Sequence, residues 1–255
     1  MHLLLVIFLF LKTGEKFATQ DVAGPTVAEL TSALGKQLSE PVEPRVLNDP
    51  GKAVELCAKD KPAVGIVTPG FFLTYQKALG MEPLLEVHRA GIVAERFLLV
   101  AKKDASEKLA DWTGKTIATT LAAEERYVKG VVLADKLGNE LRVVPTGSVE
   151  DAVFDLVEGA KTAADGVLVE EAAWKVFAED PELGPQLKVI YKSDELPRDL
   201  VVKFHTLDAE KVKAALLALS GDEAGQKILG SIRVEKFEPV NAPRLEQATK
   251  LFHGQ

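Results

Sequence analysis

TIATTLAAEERYVKG, residues 116–130, reads as a strand that runs through a short turn into a helix. Thr116, Ile117 and Thr119 alternate as β-formers, and Glu124, Glu125, Arg126 and Tyr127 follow at helical spacing. A helix that begins where a strand ends presents free backbone N–H groups and attracts anions. This turn carries two glutamates and no glycine, so it has the place of an anion site without the usual composition.

The same strand-to-helix step recurs on both sides of it. Upstream, the apolar run Leu3–Leu11, VEPRVL (42–47), AVGIV (63–67), LLEVHRAG (84–91) and ERFLLVAKK (95–103) read as strands. VAGPTVAELTSALGKQL (22–38) reads as a helix, with Pro25 near its start, Val27, Leu30 and Leu34 on one face and Gly35 near its end. DPGKAVELCAKDK (49–61) is a second helix, with Asp49 as N-cap and Pro50 at the first position. FFLTYQKALG (71–80) is a third, after the break Pro69–Gly70. Downstream, EERYVKGVVLADKLG (124–138), SVEDAVFDLVEG (148–159) and EAAWKVFAED (171–180) are helices. They alternate with the strands LRVVPT (141–146), DGVLVE (165–170), LKVIYKS (187–193) and DLVVKFHT (199–206). One or two helices occupy residues 209–230. Alternation of this kind predicts parallel sheets flanked by helices, and its two successive runs predict two α/β lobes.

Composition narrows the function. The 255 residues carry a net charge of −7, and a nucleic-acid binder would need a basic face instead. The single cysteine, Cys57, lies in a helical pattern and reads as a small buried hydrophobe. His2, His88, His205 and His253 are scattered, so no metal centre is expected. Leu3–Leu11 is too short to span a bilayer and reads as a strand buried on both faces rather than a leader. On that reading any export leader is already absent from the chain.

The second half then resembles a known family. GKTIATT (114–120), GSVEDAVFDLVEGAKTAADGVLVEEAAWKVF (147–177), LKVIYKSDELPRDLVVKFHTLDAEKVKAALLAL (187–219) and GQKILGSIRVEKFEPV (225–240) carry the resemblance. They are similar, in order and spacing, to the phosphate/phosphonate-type periplasmic substrate-binding proteins of ABC importers. The resemblance implies a type 2 periplasmic-binding fold whose two lobes are joined by hinge strands near residues 95–102 and 188–203. Lobe one would be residues 1–96 plus 200–255 and lobe two residues 97–199. The ligand would lie in a cleft between the lobes, captured by hinge closure. No cofactor and no catalysis are implied.

Candidate ligand residues follow from the strand ends and the resemblance together. In lobe two they are Thr119, Thr120, Glu125, Tyr127, Thr146, Ser148 and Glu170; in lobe one, Phe71, Phe72 and Tyr75; and at the hinge strand, Glu95. The loop Lys12–Phe17 is a further candidate wall. Each has a plainer reading. Glu124, Glu125 and Glu170 suit helix starts through the macrodipole, Ser148 suits an N-cap, and the aromatics suit core packing. The family's turn after the first strand of lobe two is rich in Ser, Thr and Gly, whereas Leu121, Ala122 and Ala123 follow the two threonines here. Ser148–Val149 stands where the family has a histidine, and Glu95–Arg96–Phe97 where its hinge tyrosine stands.

The expectation is therefore a monomeric periplasmic solute-binding protein that serves an ABC permease and takes something other than a conventional phosphonate. The alternatives are a lipid (sterol-like) carrier on the same fold, a dehydratase-like enzyme using a carboxylate such as Glu125 or Glu170, or a sensor module.

Overall fold

A computed structural model describes residues 6–89, 91–138, 140–160, 164–204 and 208–255. Leu3–Leu5, His2, His205 and Thr206, which enter the sequence reading, lie outside the described residues.

The chain opens with β1 (Val6–Leu11), α1 (Gln20–Leu38), β2 (Val42–Leu47), α2 (Pro50–Asp60), β3 (Val64–Val67), α3 (Pro69–Leu79) and β4 (Glu82–Arg89). It continues through β5 (Phe97–Lys102), β6 (Thr116–Thr119), α4 (Glu125–Tyr127), β7 (Arg142–Pro145), α5 (Val149–Glu158), β8 (Gly166–Glu170), α6 (Glu171–Glu179) and β9 (Leu187–Lys192). Then follow β10 (Leu200–Lys203), α7 (Ala209–Leu219), α8 (Glu223–Ser231), β11 (Val234–Glu238) and α9 (Ala242–His253). Two compact units result: unit 1 is Met1–Ile92 with Arg198–Ala242, and unit 2 is Val93–Pro197 with Pro243–Gln255. The expected lobe one ran to residue 255. Residues Pro243–Gln255 instead belong with unit 2, because α9 packs on α4: Arg126 Nε donates to the Phe252 carbonyl at 3.1 Å, and its guanidinium lies 4.4 Å from the Phe252 ring centre.

Both sheets follow one plan. In unit 1 the order is β11-β4-β10-β3-β1-β2; in unit 2 it is β7-β6-β8-β5-β9. Each has a central first strand with parallel neighbours on both sides: β1 between β2 and β3, β6 between β7 and β8. Each then adds one antiparallel strand that enters from the other unit, β10 beside β3 and β5 beside β8. A strand with neighbours on both sides and helices on both faces has no solvent face, which is why VIFLFL carries no polar residue. Pro44 and Pro145 both lie on edge strands, β2 and β7, where a missing N–H is tolerated.

The unit 1 core gathers Phe8 and Phe10 of β1, Val64 and Ile66 of β3, and Val27, Leu30, Leu34 and Leu38 of α1. Each fully buried aliphatic side chain of this set contributes about 1.5–3 kcal/mol. α1 begins five residues before Pro25, which stands inside the helix but close enough to its start that few backbone bonds are lost. Gly65 lets β3 approach β1: a Cβ there would stand 2.5 Å from the Leu9 carbonyl oxygen. In unit 2 the core is Leu98 and Val100 of β5, Val167 and Val169 of β8, Val153 and Leu156 of α5, and Phe177 of α6. Cys57 is buried in α2, and burial pushes its thiol pKa up to about 12.

One expected helix is not formed. Residues 124–138 give a single turn, α4, then a π-turn at Val128–Val132, then Ala134 and Asp135 at positive φ. The three β-branched valines Val128, Val131 and Val132 and Gly130 are poor helix formers, and a Cβ at Gly130 would stand 3.4 Å from the Leu251 carbonyl oxygen of α9. The helical spacing of the sequence gives way to that tertiary contact.

Candidate functional site

Open α/β sheets hold ligands beyond the carboxyl ends of the parallel strands, where the connections diverge to opposite sides. In unit 1 that point lies between β1 and β3. β1 ends into Lys12 and Thr13, and β3 ends into Thr68. Both threonines are buried, and their hydroxyl oxygens stand 3.4 Å apart. Thr68 also caps α3, accepting from the Phe71 N–H at 3.4 Å. β10 runs antiparallel to β3 with Leu200 opposite Val67, so Asp199 arrives at the same edge. Its carboxylate accepts directly from Lys12 Nζ. A hydroxyl pair, a helix start and a neutralised lysine therefore share one strand edge.

Thr68 and Asp199 are absent from the sequence candidates, and Thr13 enters them only as part of the loop Lys12–Phe17. The available signal is an apolar strand followed at once by threonine, as in GIVT, or after one lysine, as in VIFLFLKT; the Asp199 partnership spans 187 residues and leaves no local trace. The lobe-one aromatics fall elsewhere. Phe71 and Phe72 are buried at 0% and 3% exposure, and the Phe71 ring packs 4.9 Å from that of half-buried Tyr75 along α3.

In unit 2 the matching edge joins the ends of β6, β7 and β8 with the start of β5. Thr119 is fully buried, its hydroxyl accepts from the Leu121 N–H at 3.1 Å, and its carbonyl accepts from the Thr146 N–H at 3.1 Å. Thr120 is half-buried at the head of a 3-10 turn, Thr120–Glu124. Thr146 donates to the Ser148 carbonyl at 2.6 Å. Ser148 caps α5, accepting from the Asp151 N–H at 3.1 Å and facing Glu150 at 3.0 Å, so its hydroxyl serves the helix. Glu170 closes β8 opposite Phe97 of β5. Buried Glu95 precedes that strand, and its carbonyl accepts from the Leu196 N–H at 2.8 Å.

The cations of this edge are paired. Glu171 takes Lys192 at 2.5 Å and Arg96 at 3.5 Å, and Arg96 also lies 3.6 Å from Glu195. The Lys192 hydrogen bond, with the charges of Lys192 and Arg96, holds the Glu171 carboxyl below the usual carboxylate range against some burial. Beyond the turn, Glu125 is exposed and pairs with Lys129 at 2.7 Å, whereas Tyr127 is buried at 3% exposure. Two positions apart in a helical turn, the two side chains point different ways. The turn also lacks a regular helix behind it, so no aligned row of peptide dipoles stands at Thr119–Thr120.

Among the described residues, no group of three or more His, Cys, Asp or Glu is placed to hold a metal ion, and no helix is long and apolar enough to cross a membrane.

The model of the family described as ABC transporter, phosphonate, periplasmic substrate-binding protein matches residues 17–244. Comparison with curated proteins gives no match. Solved structures share the fold. A Xanthomonas citri protein bound to chloride ion aligns with TM-score 0.75 at 13% identity over 98% of both chains. A binding-protein component of an ABC phosphonate transporter from Pseudomonas aeruginosa aligns with TM-score 0.68 at 17% identity, over 97% of this chain and 85% of that one. PhnD1 from Prochlorococcus marinus, solved with methylphosphonate, gives TM-score 0.68 at 13% identity, over 98% and 97%.

Proposed function

Because the chain belongs to the family of periplasmic substrate-binding proteins of phosphonate ABC transporters, we propose that it is the solute receptor of such a transporter, specialised for a small polar solute of low net charge rather than for a phosphonate. It binds its solute at the strand ends of its α/β units, in the periplasm, and hands it to a permease.

The pairing of Lys12 with Asp199 carries this reading. A phosphonate is favoured by uncompensated positive charge and by N–H groups that point at it. Here the lysine at the unit 1 strand edge is already answered by a carboxylate. In unit 2, Arg96 and Lys192 share Glu171, and Lys129 is taken by Glu125. A dianion brought within about 4 Å of Asp199 would meet a repulsion of one to several kcal/mol at the effective dielectric of a protein surface. A zwitterion or a hydroxylated solute meets no such cost and finds matching hydroxyl groups at the unit 1 strand edge in Thr13 and Thr68.

The lipid-carrier alternative came from the family resemblance, and Phe71 and Phe72, the candidate apolar residues of the first unit, are buried and lend it no exposed apolar surface. A thermal-shift screen separates the solute classes. The purified chain is melted with methylphosphonate, an aliphatic sulfonate, neutral amino acids and polyols. Stabilisation confined to the zwitterionic or hydroxylated compounds is expected; stabilisation by methylphosphonate alone would overturn the reading.

A further inference from the structure

Helix α1 buries one face and leaves the other uncovered. Val27, Leu30, Leu34 and Leu38 enter the unit 1 core. The opposite face carries Pro25, Glu29, Ser32, Ala33 and Lys36; Ala33 is half-buried and the other four are exposed. Beside Ile228 of α8 this face forms an open groove of about 410 Å³. Ala28, Ser32 and Ala33 line it with short side chains, so nothing long stands up between Glu29 and Lys36.

The spacing of the two charges is the informative feature. Seven residues are close to two full turns, so Glu29 and Lys36 share the face but lie about 10 Å apart along the axis. Charges that pair within a helix stand three or four residues apart, as Glu246 and Lys250 do on α9. Among the described residues neither Glu29 nor Lys36 has an ion-pair partner. The midpoint between them falls between Ser32 and Ala33. In a two-fold interface residue i of one copy meets j of the other, and j meets i. Laid antiparallel on itself about that midpoint, the face brings Glu29 of each copy to Lys36 of the other, and two ion pairs form at once. Only Ser32 and Ala33 then stand at the crossing, which lets the axes approach to the lower end of the ~8–10 Å range of packed helices.

We propose that α1 is a self-docking surface: two copies of this chain associate about a two-fold axis, with Glu29 of each paired to Lys36 of the other across Ser32–Ala33. Charge complementarity selects a second copy as the occupant. The face carries its own complement, in the order that an antiparallel copy needs, whereas a parallel copy in register would set Glu29 against Glu29. Contact along one pair of helices buries less than the ~800 Å² per partner of a standard interface, so the association is reversible and depends on concentration. It replaces the single chain expected from the family resemblance. It concerns unit 1 alone and does not depend on which solute binds.

The test needs no ligand. Sedimentation equilibrium of the full chain, from about 10 µM to about 500 µM, reads the association. The parent should pass from the mass of one chain towards that of two across the series. Glu29→Lys and Lys36→Glu each set like charges against one another at both ends of the interface, and each should weaken association by about ten-fold or more. Mixed in equal amounts, the two single variants should associate as the parent does, because each supplies the complement of the other. The double variant Glu29→Lys with Lys36→Glu should also associate as the parent does. A parent that keeps the mass of one chain throughout would overturn the proposal. So would association that neither single variant weakens, or that neither the mixture nor the double variant restores. Both positions are exposed, and circular dichroism melts check that each variant is folded; if one single variant is not, the other single variant and the double variant decide.

Discussion

Glu171 shows how a single side chain at the candidate site couples folding to acidity. Its carboxyl pKa is lowered, first by the Lys192 hydrogen bond and then by the charges of Lys192 and Arg96. A carboxylate whose folded pKa lies below its unfolded value of about 4.3 stabilises the fold above that unfolded value. The contribution is lost as pH falls through the folded value. Because the pair is partly solvated it is worth only a few tenths to about 1 kcal/mol. Glu171→Gln should therefore lower the melting temperature slightly at pH 7 and leave it unchanged well below the folded pKa, as thermal melts across an acid series would record. A difference that grows towards low pH would contradict the assignment. Residues of this kind were unevenly legible. Ser148 as an N-cap follows from S-x-x-D alone, since its partner is three residues away. Thr13 and Thr68 meet across 55 residues and Lys12 and Asp199 across 187, and no local spacing encodes either meeting.

At the scale of elements, the central strands depend on close approach. Gly65 of β3 faces Leu9 of β1, and an added Cβ would stand 2.5 Å from a backbone oxygen that cannot swing away. Gly65→Ala should cost about 1–3 kcal/mol, read from chemical denaturation. An unchanged midpoint would mean that β1 and β3 are free to separate. Most strands and helices were legible because buried apolar runs and amphipathic stripes follow directly from where each element lies. The stretch after β6 was not. TIATT reads correctly as a strand, but the helix expected after it is a 3-10 turn, one α-turn and a π-turn. Its conformation is set by α9, more than a hundred residues further on, against which Gly130 and Arg126 pack.

For the whole molecule, two units built on one strand plan follow from alternating βαβ runs, and membership of the binding-protein family agrees with the resemblance carried by residues 114–240. The third passage of the chain, at Ala242–Pro243, was not legible, because nothing in the helical pattern of residues 242–253 says which unit it will pack on. The proposed solute class rests on charge pairing rather than on fold. Neighbours of the same fold include proteins solved with methylphosphonate and with arginine, so the architecture leaves the ligand open. In this chain the lysine and arginine side chains named at the strand ends are matched by Asp199, Glu171 and Glu125.

Calorimetric titration of methylphosphonate into the parent chain and into Asp199→Asn tests this most directly. With Lys12 neutralised, the parent should give no binding heat at micromolar concentrations, and Asp199→Asn, which frees the lysine charge at the Thr13–Thr68 edge, should gain measurable affinity. Micromolar binding of methylphosphonate by the parent, unchanged or weakened in Asp199→Asn, would contradict the account.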